Sequence, residues 1–172
     1  MTSRDPRFDA PDSPRSVGWV RPQHAVLATP EDPFALEAGS RLDAITVEYE
    51  TYGRLADDGG NAVLICHALS GDAHVAGWDR DADASGRPYR NRKPGWWDAM
   101  VGPGKFIDTD RYFVVCGNVL GGYYGTTGPG STDPATGRHF GMRFPVVTVE
   151  DWVRLQRRLI DHLGIPRLHT VM

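Results

Sequence analysis

Cysteine is scarce in this sequence, and neither a long apolar run nor a dominant charge is present. The 172 residues contain two cysteines, Cys66 and Cys116, which excludes a disulfide-stapled scaffold and predicts a reducing, cytoplasmic setting. No apolar run approaches the ~20 residues of a membrane span, and residues 1–14 lack the apolar core of a signal peptide. Lys and Arg number 19 against 22 Asp and Glu, so the net charge of −3 argues against a nucleic-acid-binding surface.

Glycine and proline, by contrast, are abundant. The chain has 20 Gly and 13 Pro, without the period of a collagen sequence, and many of them lie between residues 86 and 145. Long glycine-rich loops are typical either of a functional site or of disorder. Residues 1–16 are rich in Asp, Pro, Arg and Ser and are predicted to be a disordered tail. Residues 17–172 are then left for the folded part.

Apolar patterning predicts the strands. Residues 45–52 (ITVEYETY) alternate apolar and polar side chains, which is typical of a strand with one buried face. Residues 61–67 (NAVLICH) and 111–117 (RYFVVCG) are continuous apolar runs, as expected of strands buried on both faces of a parallel sheet. These two are therefore predicted to be parallel neighbours. Residues 168–172 (LHTVM) are predicted to begin a further strand.

One helix is predicted, over residues 149–163. Thr148 and Asp151 have the spacing of an N-terminal cap, and Gly164 with the nearby Pro166 ends the pattern. Its predicted buried face consists of Trp152, Val153, Gln156, Leu159, Ile160 and Leu163. The fold class is therefore α/β, with a mostly parallel sheet and long glycine-rich loops. One helix cannot cover both faces of such a sheet, so residues 17–172 are expected to be the N-terminal portion of a larger domain.

Residues 66–74 (CHALSGDAH) are the first candidate site, because open α/β sheets gather their sites at the carboxyl ends of strands. Four of these side chains could ligate a metal: Cys66, His67, Asp72 and His74. Their spacing matches no metal motif, however. Ser70 lacks the flanking glycines of a G-x-S-x-G nucleophile elbow. Two interpretations stay open, namely an oxyanion loop, whose backbone N–H faces developing negative charge, and a polar turn without function.

Two other segments could contribute to a site. The paired Trp96 and Trp97 are expected either to anchor the core or to wall a pocket. Residues 117–129 match neither G-x-G-x-x-G nor a phosphate-binding P-loop, so their glycines indicate a close backbone approach to a ligand or a purely structural loop. Cys66 and Cys116 are predicted to be buried, inert thiols near strand ends.

Four segments, taken in order, resemble one family closely: HALSGDAH, KPGWWDAMVGPGKFIDTDRYFVVCGNVLGG, TTGPGS and FPVVTVEDWVRLQRRLIDHLGI. From about Val47 onward the chain is similar to the homoserine O-acetyltransferases, acyltransferases of the α/β-hydrolase fold. The resemblance is less specific among members, which include homoserine succinyltransferases, serine acyltransferases and a cephalosporin-forming acetyltransferase. It implies an incomplete α/β-hydrolase domain that is truncated before the nucleophile elbow.

The resemblance implies acyl transfer by a Ser-His-Asp triad in a cytoplasmic enzyme of methionine biosynthesis. An acetyl group would pass from acetyl-CoA, a co-substrate, to a serine and then to the hydroxyl of L-homoserine. The backbone N–H of Leu69 is implied to be one donor of the oxyanion hole, and no metal, cofactor, nucleic acid or membrane is implied. The catalytic Ser, Asp and His are expected downstream of Met172, together with the lid helices of a homodimeric parent.

Because those groups are expected downstream, the 172-residue chain alone is expected to be inactive. Three alternatives stay open. The parent could transfer a succinyl group or use serine as acceptor; the chain could be a non-catalytic truncated product; or the parent could be a hydrolase that uses water as acceptor.

Overall fold

The computed structural model describes residues 8–172. Residues 1–7 of the predicted tail lie outside the described residues, and their disorder stays a prediction. Residues 8–16 form a series of turns. The Trp78 indole donates a hydrogen bond to the Asp9 carbonyl oxygen (2.9 Å), so this stretch lies against the strands that follow.

The elements within residues 8–172 are mostly short strands. They are β1 (Trp19–Val20), β2 (Gln23–Ala28), β3 (Phe34–Ala35), β4 (Arg41–Leu42), β5 (Ile45–Tyr52), β6 (Ala62–Leu64), β7 (Trp78–Asp79), β8 (Val101–Gly102), β9 (Ile107–Asp108), β10 (Phe113–Gly117), β11 (Thr132–Asp133), β12 (Arg138–His139) and β13 (Leu168–Val171). The helix α1 spans Val149–His162, and two 3-10 turns span Pro88–Asn91 and Gly141–Arg143.

Five strands form the main sheet, in the order β13-β6-β10-β5-β2. The predicted parallel pair is confirmed, because β6 and β10 are parallel neighbours with Val63 opposite Val114. β13 is also parallel to β6, whereas β5 is antiparallel to both β10 and β2, so the sheet is mixed. β6 begins one residue later than predicted because the Asn61 side chain donates to the carbonyls of Arg54 and Arg111 (2.9 Å each) and belongs to the preceding turn, and it ends at Leu64 rather than at residue 67.

The sheet has a buried apolar cluster on each face. Alternate residues of β10 point to opposite faces, with Val115 in the cluster below α1 and Val114 in the other. The helix α1 covers only one face of the sheet. The irregular connection 68–110 covers the second face, with Val75, Val101 and Ile107 in its buried cluster. Turns supply the backbone hydrogen bonds that a helix would otherwise satisfy.

The helix α1 forms as predicted and is capped as predicted. The Thr148 hydroxyl accepts from the Asp151 N–H, and the Asp151 carboxylate accepts from the Thr148 N–H. The predicted buried face was wrong at Val153, which is 58% exposed, and it missed the buried Leu155. Because α1 packs with its Leu155 and Leu159 side against the sheet, Val153 turns away from the core. Burying each leucine contributes roughly 1.5–3 kcal/mol.

Candidate functional site

The carboxyl end of β6 leads into loop 67–74, as the sequence predicts. A tight turn forms there, in which the Gly71 N–H donates to the Ala68 carbonyl (2.7 Å). Leu69 lies within this turn with its side chain 77% exposed. Within residues 8–172 its backbone N–H donates to no other group, so it is free to face a ligand. Its assignment to an oxyanion hole stays a prediction.

The second half of loop 67–74 is held by side chains from distant segments. The Asn118 amide oxygen accepts from the Ala73 N–H (2.6 Å), and the Trp96 indole donates to the Asp72 carbonyl (2.9 Å). The loop therefore has an exposed first half and an anchored second half.

The glycine-rich segment 117–129 lies beside loop 67–74, so the structure brings these two predicted regions together. Asn118, directly after β10, is the link between them. Gly125 adopts a φ of +73°, and a Cβ at this position would overlap the Glu48 carboxylate. This glycine is thus needed for a close approach to another part of the protein, which supports the structural interpretation of the segment.

A layer of buried ion pairs lies under both loops. The prediction that β5 buries only one face was wrong, because Glu48 and Glu50 on its polar face are also buried. Arg87 pairs with both carboxylate oxygens of Glu48 at 2.6 and 2.8 Å. Such a bidentate pair satisfies the charges that burial would otherwise leave unsolvated.

Glu50 is the second carboxylate of this layer. Its oxygen accepts from the Tyr52 hydroxyl (2.6 Å) and lies 3.1 Å from His74 Nδ1. Burial raises the pKa of Tyr52 well above its usual value, and the negative charge of Glu50 raises it further. The phenol therefore stays protonated and continues to donate.

Arg90 joins the layer to loop 67–74. Its guanidinium lies 2.5 Å from the Asp72 carboxylate and 2.9 Å from that of Asp79. Burial is the strongest single effect and opposes the charged form, but the carboxylates of Asp72, Asp79 and Glu50 together outweigh it and raise the pKa of Arg90, so the guanidinium stays charged.

Sequence reasoning missed this layer, although it left a signal. Glu48 and Glu50 occupy one face of an alternating strand, and Arg87 and Arg90 follow with a spacing of three residues. The pairing of these arginines with the β5 carboxylates cannot be predicted from the sequence, since the connection 68–110 has no regular period that would place the arginines over β5.

Trp96 and Trp97 have different roles: one is a core anchor and the other is part of a pocket wall. Their rings stack with centroids 5.6 Å apart. Trp97 packs against the buried cluster of the second face, whereas Trp96 borders a cavity of about 190 Å³ together with Ser70 and Tyr124. One ring is therefore a core anchor and the other walls a pocket.

The cysteines behave differently from each other. Cys116 is buried as predicted, but the burial predicted for Cys66 was wrong. β6 ends at Leu64, so Cys66 lies beyond the strand, at an apolar groove of about 510 Å³ between α1 and β13. Leu69 and Val153 also line this groove. Partial burial raises the pKa of the Cys66 thiol, which disfavours the reactive thiolate.

The four possible metal ligands are not assembled into a site. Within the described residues, no group of three or more His, Cys, Asp and Glu side chains is placed to hold a metal ion. Asp72 pairs with Arg90 and His74 with Glu50. Residues 8–172 also contain no helix with the length and apolar character needed to cross a bilayer.

Comparison with known proteins identifies the fold. No protein-family model matches the chain. The crystal structure of homoserine O-acetyltransferase from Bacillus anthracis superposes with a TM-score of 0.77 and 38% identity, over 89% of this chain and 39% of that one. The structure of esterase E22 superposes with a TM-score of 0.73 and 36% identity, over 87% and 40%. The architecture is that of the α/β-hydrolases, represented here in part.

Sequence comparison shows which family of α/β-hydrolase-fold proteins the chain resembles. The homoserine O-acetyltransferase of Symbiobacterium thermophilum is 56% identical over 160 residues, which are 93% of this chain and 40% of that protein. A homoserine O-succinyltransferase of Halothiobacillus neapolitanus is 55% identical over 151 residues, or 88% and 35%. The chain belongs to the homoserine O-acetyltransferase family, and it spans less than half the length of these relatives.

Proposed function

We propose that this chain is the N-terminal part of a homoserine O-acyltransferase, which transfers an acetyl group from acetyl-CoA to the hydroxyl of L-homoserine. The observation that carries the proposal is the 56% identity to a homoserine O-acetyltransferase over 93% of the chain. The position of loop 67–74 supports it, since backbone donors at the carboxyl end of a parallel strand are well placed for catalysis.

In this proposal the chain supplies one half of the oxyanion hole. Acyl transfer through a covalent acyl-enzyme passes through two tetrahedral intermediates, and each carries a negative oxygen. The free N–H of Leu69 donates to that oxygen, a contribution of roughly 2.7–4 kcal/mol per donor. The serine nucleophile, its Asp and its His lie in the parent protein beyond Met172.

The acetyl donor is part of the proposal, because the matched relatives include both acetyl- and succinyltransferases. The parent protein is also proposed to be a cytoplasmic homodimer, as the family resemblance implies.

The test is an assay of the longer parent protein with L-homoserine and either acetyl-CoA or succinyl-CoA, following release of the CoA thiol. We expect thiol release that depends on homoserine and is faster with acetyl-CoA. The 172-residue chain serves as its own control and should give no turnover above the blank, because it contains no G-x-S-x-G elbow. Turnover by this chain that Ser70→Ala abolishes would overturn the assignment of the nucleophile.

A hydrolase is the second candidate function, and the similarity to esterase E22 favours it. It is distinguished by omitting homoserine from the same assay. A hydrolase releases thiol at an equal rate with and without the amino acid, whereas an acyltransferase depends on it. A parent protein with no thiol release under any of these conditions would favour the non-catalytic alternative.

A further inference from the structure

We propose that Arg90 is a positioning residue for the oxyanion donor, acting through Asp72 on loop 67–74. This inference rests on the proposed function for its catalytic consequence, but its structural part can be tested separately. Arg90 follows Asp72 by 18 residues, in the later part of the same irregular connection 68–110 that covers the second face of the sheet.

The contacts of Arg90 give it this role. One guanidinium nitrogen, Nη2, lies 2.5 Å from Asp72, three residues after Leu69. The other, Nη1, lies 2.9 Å from Asp79 and 3.9 Å from Glu50. The second oxygen of Asp72 accepts from the His74 N–H (3.0 Å), so Asp72 braces the loop from within. Arg90 thereby ties this brace to β5 and β7.

The exposure of the three carboxylates around Arg90 indicates which of them would move if Arg90 were replaced. Three carboxylates would then be close together without their shared cation, which is strongly unfavourable in a buried site. The side chains of Asp79 and Glu50 are 0% and 1% exposed, whereas that of Asp72 is 12% exposed. Asp72 also borders the cavity of about 190 Å³ next to Ser70 and Gly71. Asp72 is therefore the carboxylate that can turn toward water, and it would carry the loop with it.

Displacing the loop is expected to weaken the stabilisation of the transition state by the oxyanion donor. An oxyanion donor acts only within about 2.7–3.1 Å of the position that the negative oxygen occupies. A displacement of about 1 Å can cost on the order of 100-fold in rate. Because the donor is needed chiefly when the negative charge develops, its displacement should lower kcat and leave KM nearly unchanged.

The experiment compares Arg90→Gln with Lys105→Gln in the longer parent protein. Lys105 is a matched control, since its side chain is equally buried (2%) and its ion pairs within residues 8–172 are with Asp98 (3.0 Å) and Asp9 (3.6 Å), not with a residue of loop 67–74. Two quantities are measured, namely the steady-state constants for homoserine and the amide hydrogen exchange of a peptide covering residues 66–75. For Arg90→Gln we expect a kcat lowered about 10- to 100-fold, KM within about threefold, and faster exchange of the peptide.

Lys105→Gln should leave the exchange of this peptide and kcat nearly unchanged. Arg90→Lys should give an intermediate kcat, since lysine keeps the charge but cannot bridge both carboxylates. Asp72→Asn removes the ion pair with Arg90 without leaving an unpaired anion, and its single amide oxygen cannot replace the two carboxylate oxygens that accept separately from Arg90 and the His74 N–H. It should also speed exchange, so it carries the test if Arg90→Gln does not fold.

Unchanged exchange and kcat in the Arg90 and Asp72 variants would overturn the inference while leaving the proposed function intact. A wild-type parent protein without transfer activity would instead overturn the proposed function, and the exchange of the peptide would still decide the role of Arg90.

Discussion

At the scale of single residues, Leu69 is the position at which backbone and side chain have separate roles. Its side chain is exposed and its N–H has no partner within residues 8–172. A role in catalysis would therefore belong to the backbone, and most side chains should be tolerated there.

This separation gives a direct prediction for the parent protein. Leu69→Pro removes the N–H and should lower turnover by about 10²–10³, whereas Leu69→Met retains it and should be mild. The measurement is kcat for homoserine-dependent thiol release, with hydrogen exchange elsewhere in the protein as the check on folding. Equal turnover in the proline and methionine variants would refute the oxyanion role.

At the scale of elements, α1 depends on its first turn for stability. The Thr148 hydroxyl accepts from the Asp151 N–H and donates to Glu37 (2.5 Å), so it joins the helix to the turn after β3. Thr148→Ala should lower the free energy of unfolding by about 1 kcal/mol. Thr148→Ser keeps the hydroxyl and should restore most of the loss. Urea unfolding with an unchanged m-value measures both effects, and equal midpoints for Ala and Ser would contradict the capping argument.

Local sequence patterns predict some of these elements and not others. Period-2 and continuous apolar patterns identified β5, β6 and β10, and the cap signal identified α1, because each is a local property of the chain. The two-residue strands β8 and β9 leave no periodic signal, since a ladder this short is fixed by packing alone. For the site, the position of loop 67–74 followed from the strand before it. The partnership of Arg90 with Asp72 did not, because it depends on the path of the irregular connection.

At the scale of the whole molecule, the buried groups predict sensitivity to alkali. Burial, and then the charge of Glu50, raises the pKa of Cys116 above its ordinary value. The folded protein therefore keeps a proton that the unfolded chain releases near pH 8.5. Stability should be complete below that pH and fall above it, by at most about 1.4 kcal/mol per pH unit per group. Tyr52, whose pKa is also raised, should add a second decline from about pH 10.

The measurement is the free energy of unfolding in urea between pH 7 and pH 11. Cys116→Ala should remove the first decline, and Cys66→Ala, at the exposed cysteine, should leave most of it. A flat profile up to pH 10 in the wild-type protein would show that the Cys116 thiol is not held protonated by the fold.

The carboxylates of β5 also fix how the strands align. Val47 and Tyr49 lie in the cluster below α1, while Glu48 and Glu50 face the arginines. A slip of one residue would exchange the two faces, leaving both carboxylates in the apolar cluster without cations, at several kcal/mol each. Because β5 lies between β2 and β10, it sets the alignment of both neighbours. The buried carboxylates thus select the native strand register during folding, since only that register pairs both of them with cations.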